Sequence, residues 1–332
     1  MEQASVLRTV ENPILRQEVL RRARHQSFWT RWEGPISILI AGLCVGLTLA
    51  SLSEVTITLA QGNNRGRFFI STTTLTVAQT TSWILFLAMT LRGMMAGVYS
   101  IHHEFMTQTW EALVLSNMSL RQILFGKWRA ALRRVGPWMV ALGLARLLLL
   151  PITSAAVLIP FYASALYRLQ ACTGSNCNSG FYNADPSVTL PLETIILAPV
   201  LVVILTILEA LASTILGMAM AMLIKRNVVS LVAALGIRFI PLLTIGGLTN
   251  PIRLRFNPNF AFYSRAWSSI FFALTDGGMG SITRMLTPQS SLYVDRLYNS
   301  LLDPLLAVLA LSAIIVGSWG LTRLLLRYSG AL

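Results

Sequence analysis

The feature that most constrains this chain is a series of long apolar runs, which reach twenty residues or more in segments such as 135–166 and 192–224. About twenty apolar residues in a helix are needed to cross roughly 30 Å of hydrocarbon. A membrane-spanning segment must also satisfy its own backbone hydrogen bonds, which a helix does within itself. The sequence therefore predicts an all-α, polytopic membrane protein.

Composition and charge agree with a membrane location. Hydrophobic residues make up 55% of the 332-residue chain and charged residues only 12%, whereas soluble domains carry roughly 25% charged residues. The net charge of +13 is spread along loops, mostly as arginine, which is typical of the cytoplasmic segments of membrane proteins. Because no nucleic-acid reader motif is recognisable, we predict a lipid membrane as the surroundings and no nucleic-acid partner.

Hydrophobic patterning predicts six membrane spans, at about 35–53, 73–100, 135–166, 192–224, 228–248 and 304–325. The third is long, so Pro151 and Pro160 are expected to kink or break it. Basic residues are more numerous in the segments that a cytoplasmic N-terminus places inside, which predicts that both termini are cytoplasmic. The chain is then a multi-pass protein of the plasma (inner) membrane, with outer loops at about 54–72, 168–191 and 249–303.

The first 34 residues contain an amphipathic stretch from Asn12 to Arg24, with Pro13 at the first helical position. They lack the apolar core of a cleavable signal peptide. We therefore predict a cytoplasmic helix that lies on the inner membrane surface, with its arginines at the phosphate headgroups. Packing of this helix on another subunit is the alternative.

Two of the outer loops have features of their own. Cys172 and Cys177 lie among small polar residues in the second. On an oxidising face they could close a disulfide loop, two free thiols are the alternative, and further metal ligands are lacking. In the third loop, the aromatic segment from Phe260 to Phe272 is too short to span and predicts a re-entrant or interfacial helix, which a glycine-rich turn at 277–280 follows.

Three charged residues, Arg146, Glu209 and Arg238, lie well inside apolar runs, where a charge is costly. One interpretation is structural, with Glu209 paired to Arg238 or Arg146 and holding helices together. A second is functional, with the three side chains lining a path for a polar substrate, and a third is snorkelling or cytoplasmic exposure. Arg92, near the cytoplasmic end of the second span, is expected to snorkel.

Enzymatic motifs fail when they are examined residue by residue. A zinc-protease helix beginning at His103 would need a second histidine at Thr107, and a phosphate loop ending at Lys127 would need Ser or Thr at Trp128. The chain has three histidines and no Gly-x-Ser-x-Gly elbow. We predict no catalytic residues, no metal and no cofactor in this chain.

A polar segment at about 101–118 interrupts the apolar pattern between the second and third spans. As a helix it places Glu104, Gln108 and Glu111 on one face, at spacings of four and three residues. We predict a short cytoplasmic helix that uses this face, with Trp110, to contact a soluble partner. The next helix is expected to be anchored at the inner headgroups by five basic residues, Arg121, Lys127, Arg129, Arg133 and Arg134.

The residues of this segment carry a resemblance to a known family. This segment resembles the coupling-helix region of the ABC-2 type transporter permeases. The residues that carry the resemblance are Glu104, Thr109-Trp110-Glu111-x-Leu113, Leu115-Ser116, Ser119-Leu120-Arg121 and the run from Ile123 to Lys127. The start of the chain, Asn12 to Glu18, resembles the N-terminal connecting helix of that family. Six spans with both termini inside also fit, so the resemblance covers nearly the whole chain.

This resemblance implies the transmembrane subunit of an ABC exporter. Such a permease pairs with a second permease subunit, as a homodimer or heterodimer, and each half docks onto a cytoplasmic ABC ATPase subunit that binds ATP and Mg. Closure of the ATPase pair pushes the coupling helices, here about 101–118, and alternates access to a path between the halves. A non-transporting membrane scaffold or accessory subunit of a larger membrane complex is the alternative from a different functional class.

Overall fold

A computed structural model of the chain describes residues 28–60, 64–106, 120–171, 192–224, 226–248, 270, 273–274, 276–286 and 296–328. Regular structure in these residues is entirely helical, with no strand among them, which confirms the predicted all-α class. The helices are α1 (Phe28–Ala60), α2 (Asn64–Met106), α3 (Leu120–Ala171), α4 (Leu192–Leu223), α5 (Asn227–Leu248), α6 (Met279–Leu286) and α7 (Arg296–Tyr328).

Four of the described helices are long and apolar enough to cross a membrane, and they indicate a membrane-embedded protein. Their candidate spans are Thr80–Met106 in α2, Arg121–Pro151 in α3, Ile196–Leu223 in α4 and Leu301–Leu325 in α7. These overlap the predicted second, third, fourth and sixth spans. At the predicted first and fifth spans, α1 and α5 contain shorter apolar segments, Trp32–Leu47 and Asn227–Phe239.

Two of the helices are much longer than a membrane requires. α2 has 43 residues and α3 has 52, which at 1.5 Å per residue correspond to about 65 Å and about 78 Å. α3 continues through Pro151 and Pro160, so a break of the helix there is wrong, whereas a kink at either proline stays a prediction. The φ angle of proline is compatible with a helix, and neighbouring helices or local adjustments can satisfy the backbone group that each proline frees.

A close helix contact joins α2 to α4 through glycine. A methyl group added to Gly97 would lie 2.9 Å from the backbone nitrogen of Met218, and one added to Gly217 would lie 2.9 Å from the Cα of Met94. Gly93 and Gly97 form a Gly-x-x-x-G pattern, which allows two membrane helices to approach backbone to backbone. This contact fixes the position of α2 along α4.

Packed apolar clusters surround this contact, and apolar side chains also cover the outside. One cluster joins α1, α2 and α3 through residues such as Leu85 and Leu142. A second packs α6 with α4 and α7 and includes Ile282 and Leu205. Large aliphatic side chains such as Leu39 and Leu309 are more than half exposed, as expected for a surface solvated by hydrocarbon.

Candidate functional site

The charged residues predicted inside the membrane come together in one buried cluster. Arg146 of α3, Glu209 of α4 and Arg238 of α5 are each at most 3% exposed. The cluster also contains Asp276, which immediately precedes a turn leading into α6. Four separate parts of the chain therefore contribute charge to one place in the bundle.

Glu209 is bound through both carboxylate oxygens. Arg238 Nη2 lies 2.5 Å from Glu209 Oε2, and the Thr90 hydroxyl donates a hydrogen bond of 3.1 Å to Oε1. The ion pair joins α4 to α5, and the hydroxyl joins α4 to α2. This is the pairing that the structural interpretation predicted, with Arg238 as the partner.

The two arginines also bind backbone carbonyls of the helical residues that precede the turn before α6. Arg238 donates a 3.1 Å hydrogen bond to the carbonyl of Ala273, and Arg146 Nη2 donates one to the carbonyl of Asp276. The last carbonyls of a helix lack partners within it and carry partial negative charge. Both guanidinium groups satisfy such carbonyls, while Arg146 Nε reaches Ser82 on α2 at 3.3 Å.

The Asp276 carboxylate binds backbone amides at the start of the next helix, α6. It accepts backbone hydrogen bonds from Gly278, at 2.9 Å, and Gly280, at 2.8 Å, as a side chain at a helix N-terminus does. Between the two helical stretches, Gly277 and Gly278 have φ values of 63° and 87°, which glycine adopts without steric cost. The chain thus turns inside the bundle between Asp276 and α6.

The tip of this turn is packed into the core. A methyl group added to Gly277 would lie 3.1 Å from the Phe86 ring. The guanidinium carbons of Arg146 and Arg238 lie 5.8 Å and 6.0 Å from the centroid of that ring, so both cations interact with one aromatic side chain. The predicted re-entrant helix at 260–272 lies outside the described residues except for Ile270, which is helical.

Burial raises the pKa of Asp276 to about 6, although Arg146 and the amides of the turn act in the opposite direction. The ordinary pKa of an aspartate is 3.8, so the higher pKa of Asp276 in the folded state means that its ionisation costs more in the folded protein than in the unfolded chain. The free energy of unfolding therefore falls as the pH rises through this range.

We expect this group to make the wild-type protein about 1 kcal/mol more stable at pH 5 than at pH 7. Asp276→Asn removes the titrating group and should flatten that part of the profile. Unfolding midpoints of both proteins in detergent, measured from pH 5 to pH 7, test this. Parallel pH profiles for the two proteins would contradict the expectation.

A second buried ion pair joins the ends of α2 and α3. Lys127 Nζ lies 2.6 Å from Glu104 Oε1, and the two residues are 3% and 5% exposed. The prediction that Glu104 presents its carboxylate to a soluble partner is therefore wrong, because Lys127 holds it inside the bundle. The prediction that Lys127 anchors α3 at the headgroups is wrong for the same reason.

The helix predicted at 101–118 also differs from the structure. Residues 101–106 are the last turns of α2 rather than the start of a separate helix. Gln108, Trp110 and Glu111 lie outside the described residues, as do Cys172, Cys177 and the segment 1–27. Their predicted roles stay predictions.

Aromatic contacts surround the Glu104–Lys127 pair. The Trp128 indole donates a 3.0 Å hydrogen bond to Thr214 of α4, and its ring centroid lies 5.8 Å from that of Trp319 on α7. Phe105 packs in the same cluster. The ends of α2, α3, α4 and α7 therefore form one packed unit. Arg92 of α2, which was expected to snorkel, is paired with Glu33 near the start of α1.

Sequence reasoning missed Asp276, Thr90 and the glycine contact of α2. An aspartate directly before two glycines is a turn and helix-start signal, and the Gly93–Gly97 spacing is a known packing pattern, so both could have been found. Thr90 carried no such signal, because its partner Glu209 is remote in sequence.

Comparison with known proteins does not identify the chain: no family model, curated protein or solved structure matches it. Among the described residues, no group of three His, Cys, Asp or Glu side chains is placed to hold a metal ion. Function is therefore inferred from the residues of this chain and their contacts.

Proposed function

We propose that this chain is the membrane-spanning permease subunit of an ATP-binding-cassette exporter. A separate cytoplasmic ATPase would bind ATP and Mg, and a second permease subunit would complete the transport path. In this proposal α1 and α5 join the four candidate spans to make six, and both termini are cytoplasmic. The resemblance of residues 12–18 and 104–127 to ABC-2 type permeases supports this function.

The observation that carries the proposal is the Glu104–Lys127 pair. Residues 107–119 connect α2 to α3, and this buried pair ties together the two helices that bracket the connection. A partner that pushes on 107–119 would move both helices together, because breaking a buried ion pair costs about 3–5 kcal/mol. The packed Trp128 and Thr214 extend that rigid unit to α4.

The remaining carboxylate of the predicted contact, Glu111, provides the test. Glu111→Lys should lower the ATP hydrolysis that co-purifies with the chain by about tenfold or more, because juxtaposed like charges at an interface cost several kcal/mol. Hydrolysis is measured on the assembly purified from its own membranes in mild detergent. Membrane insertion of the variant should be unchanged.

Asp185→Lys makes the same change of charge in a predicted outer loop and is the matched control. It should leave ATP hydrolysis at the wild-type rate. Absence of any ATPase from the wild-type assembly would overturn the transport proposal, and an assembly made only of other membrane subunits would favour a scaffold.

A further inference from the structure

The exposed face of α3 changes its chemistry along the helix. Near the start, Arg129 and Arg133 are exposed and one helical turn apart. Further along, Val140 and Leu144 are 51% and 52% exposed. At about 100° per residue, all four side chains fall within roughly 60° of one another around the helix. They therefore form one continuous surface, the α3 stripe, that begins with cations and ends with aliphatic groups.

Two other basic residues near the start of α3, Lys127 and Arg134, lie outside the stripe. Lys127 is buried against Glu104, and Arg134 is only partly exposed. Phe125, one turn before Arg129, is 48% exposed and contacts Trp128 at a centroid distance of 5.8 Å. Phenylalanine together with basic residues on one helix is a feature of helices at the membrane–water interface.

We propose that the α3 stripe binds an anionic phospholipid, with its phosphate between Arg129 and Arg133 and an acyl chain along Val140 and Leu144. The fifteen-residue rise from Arg129 to Leu144 is about 22 Å, which matches one leaflet with its headgroup layer, roughly half of 40–45 Å. Guanidinium groups pair with phosphate through two hydrogen bonds. A phospholipid combines an anion with a chain of this length, whereas free phosphate would use only half of the stripe.

Lipid selectivity of the purified protein tests this directly. The protein in detergent is titrated with equal amounts of dioleoylphosphatidylglycerol and dioleoylphosphatidylcholine, and native mass spectrometry counts the bound lipids. Wild type should retain phosphatidylglycerol preferentially. Each basic residue near an anionic headgroup contributes about 1 kcal/mol, or about fivefold, so Arg129→Gln with Arg133→Gln should lower the preference by roughly thirtyfold.

Three controls test whether the lipid preference depends on the charge at positions 129 and 133. Arg226→Gln removes an exposed arginine elsewhere on the chain and should leave the preference unchanged, whereas lysine at 129 and 133 should retain most of it. Excess inorganic phosphate should not displace phosphatidylglycerol. Equal retention of both lipids by wild type, an unchanged preference in the double variant, an equal loss in Arg226→Gln or displacement by phosphate would each overturn the proposal.

Discussion

Replacing Glu209 with methionine is expected to lower the free energy of unfolding by about 3–5 kcal/mol. The substitution leaves Arg238 buried without its carboxylate partner, and Glu209 is 0% exposed in the folded protein. Arg238→Met should cost a similar amount, because it strands the carboxylate. Unfolding midpoints in detergent micelles, followed by circular dichroism, measure both effects.

The double variant distinguishes a pair from two independent residues. Glu209→Met with Arg238→Met removes both charges and fills the space with apolar groups, so its cost should be well below the sum of the single costs. Glu33→Gln is the matched control, because it breaks the more exposed pair with Arg92 and should cost less than about 1 kcal/mol. Additive single costs would show that Glu209 and Arg238 do not depend on each other.

Gly97→Ala is expected to destabilise the bundle by about 3 kcal/mol, near the upper end for overpacked cores. The added methyl would meet backbone atoms of Thr214, Gly217 and Met218. A backbone cannot rotate away as a side chain can, so α2 and α4 must separate. The thermal midpoint of the variant in detergent tests this.

The chain supplies its own control for that experiment. Gly42 and Gly46 of α1 have the same spacing, but a methyl group on either would meet nothing within 4 Å. Gly46→Ala should therefore leave stability unchanged or raise it by up to about 1 kcal/mol, because alanine is the better helix former. Equal effects of Gly97→Ala and Gly46→Ala would contradict the close approach of α2 and α4.

Hydrophobic patterning predicted the positions of the helices well and their lengths less well. The fourth and fifth predicted spans, 192–224 and 228–248, nearly coincide with α4 and α5. α2 and α3 extend past their predicted spans, to Met106 and from Leu120. Hydropathy marks the part of a helix that is apolar enough for lipid, whereas a helix can continue through polar residues that are buried against neighbouring helices.

The chemistry of the candidate site was predictable only in part. An isolated charge within an apolar run is visible in a sequence, so Arg146, Glu209 and Arg238 were found. The pairing of Glu209 with Arg238 was also among the predicted alternatives, but Asp276 was missed, because Arg146 and Asp276 are 130 residues apart and the fold alone brings them together. The same limit explains Glu104: its periodicity suggested an exposed carboxylate, while Lys127, 23 residues later, holds it inside the protein.

We propose that the two buried clusters have different roles, one in structure and the other in transmitting movement from a partner. The cluster around Glu209 fixes a turn inside the bundle through Arg146 and Arg238. The Glu104–Lys127 pair ties α2 and α3 together where they meet the polar connection 107–119. Our central claim is that a cytoplasmic ATPase acts on that connection.

Site-specific crosslinking from Gln108 tests this claim most directly. With Cys44, Cys172 and Cys177 replaced by serine, a cysteine at position 108 carries a photoactivatable crosslinker, and the adduct is identified by mass spectrometry. Our account predicts an adduct with a phosphate-loop ATPase whose yield changes with ATP and Mg, and no such adduct from a probe at Thr173 in a predicted outer loop. Adducts from position 108 that contain only lipid or proteins without a nucleotide site would contradict it.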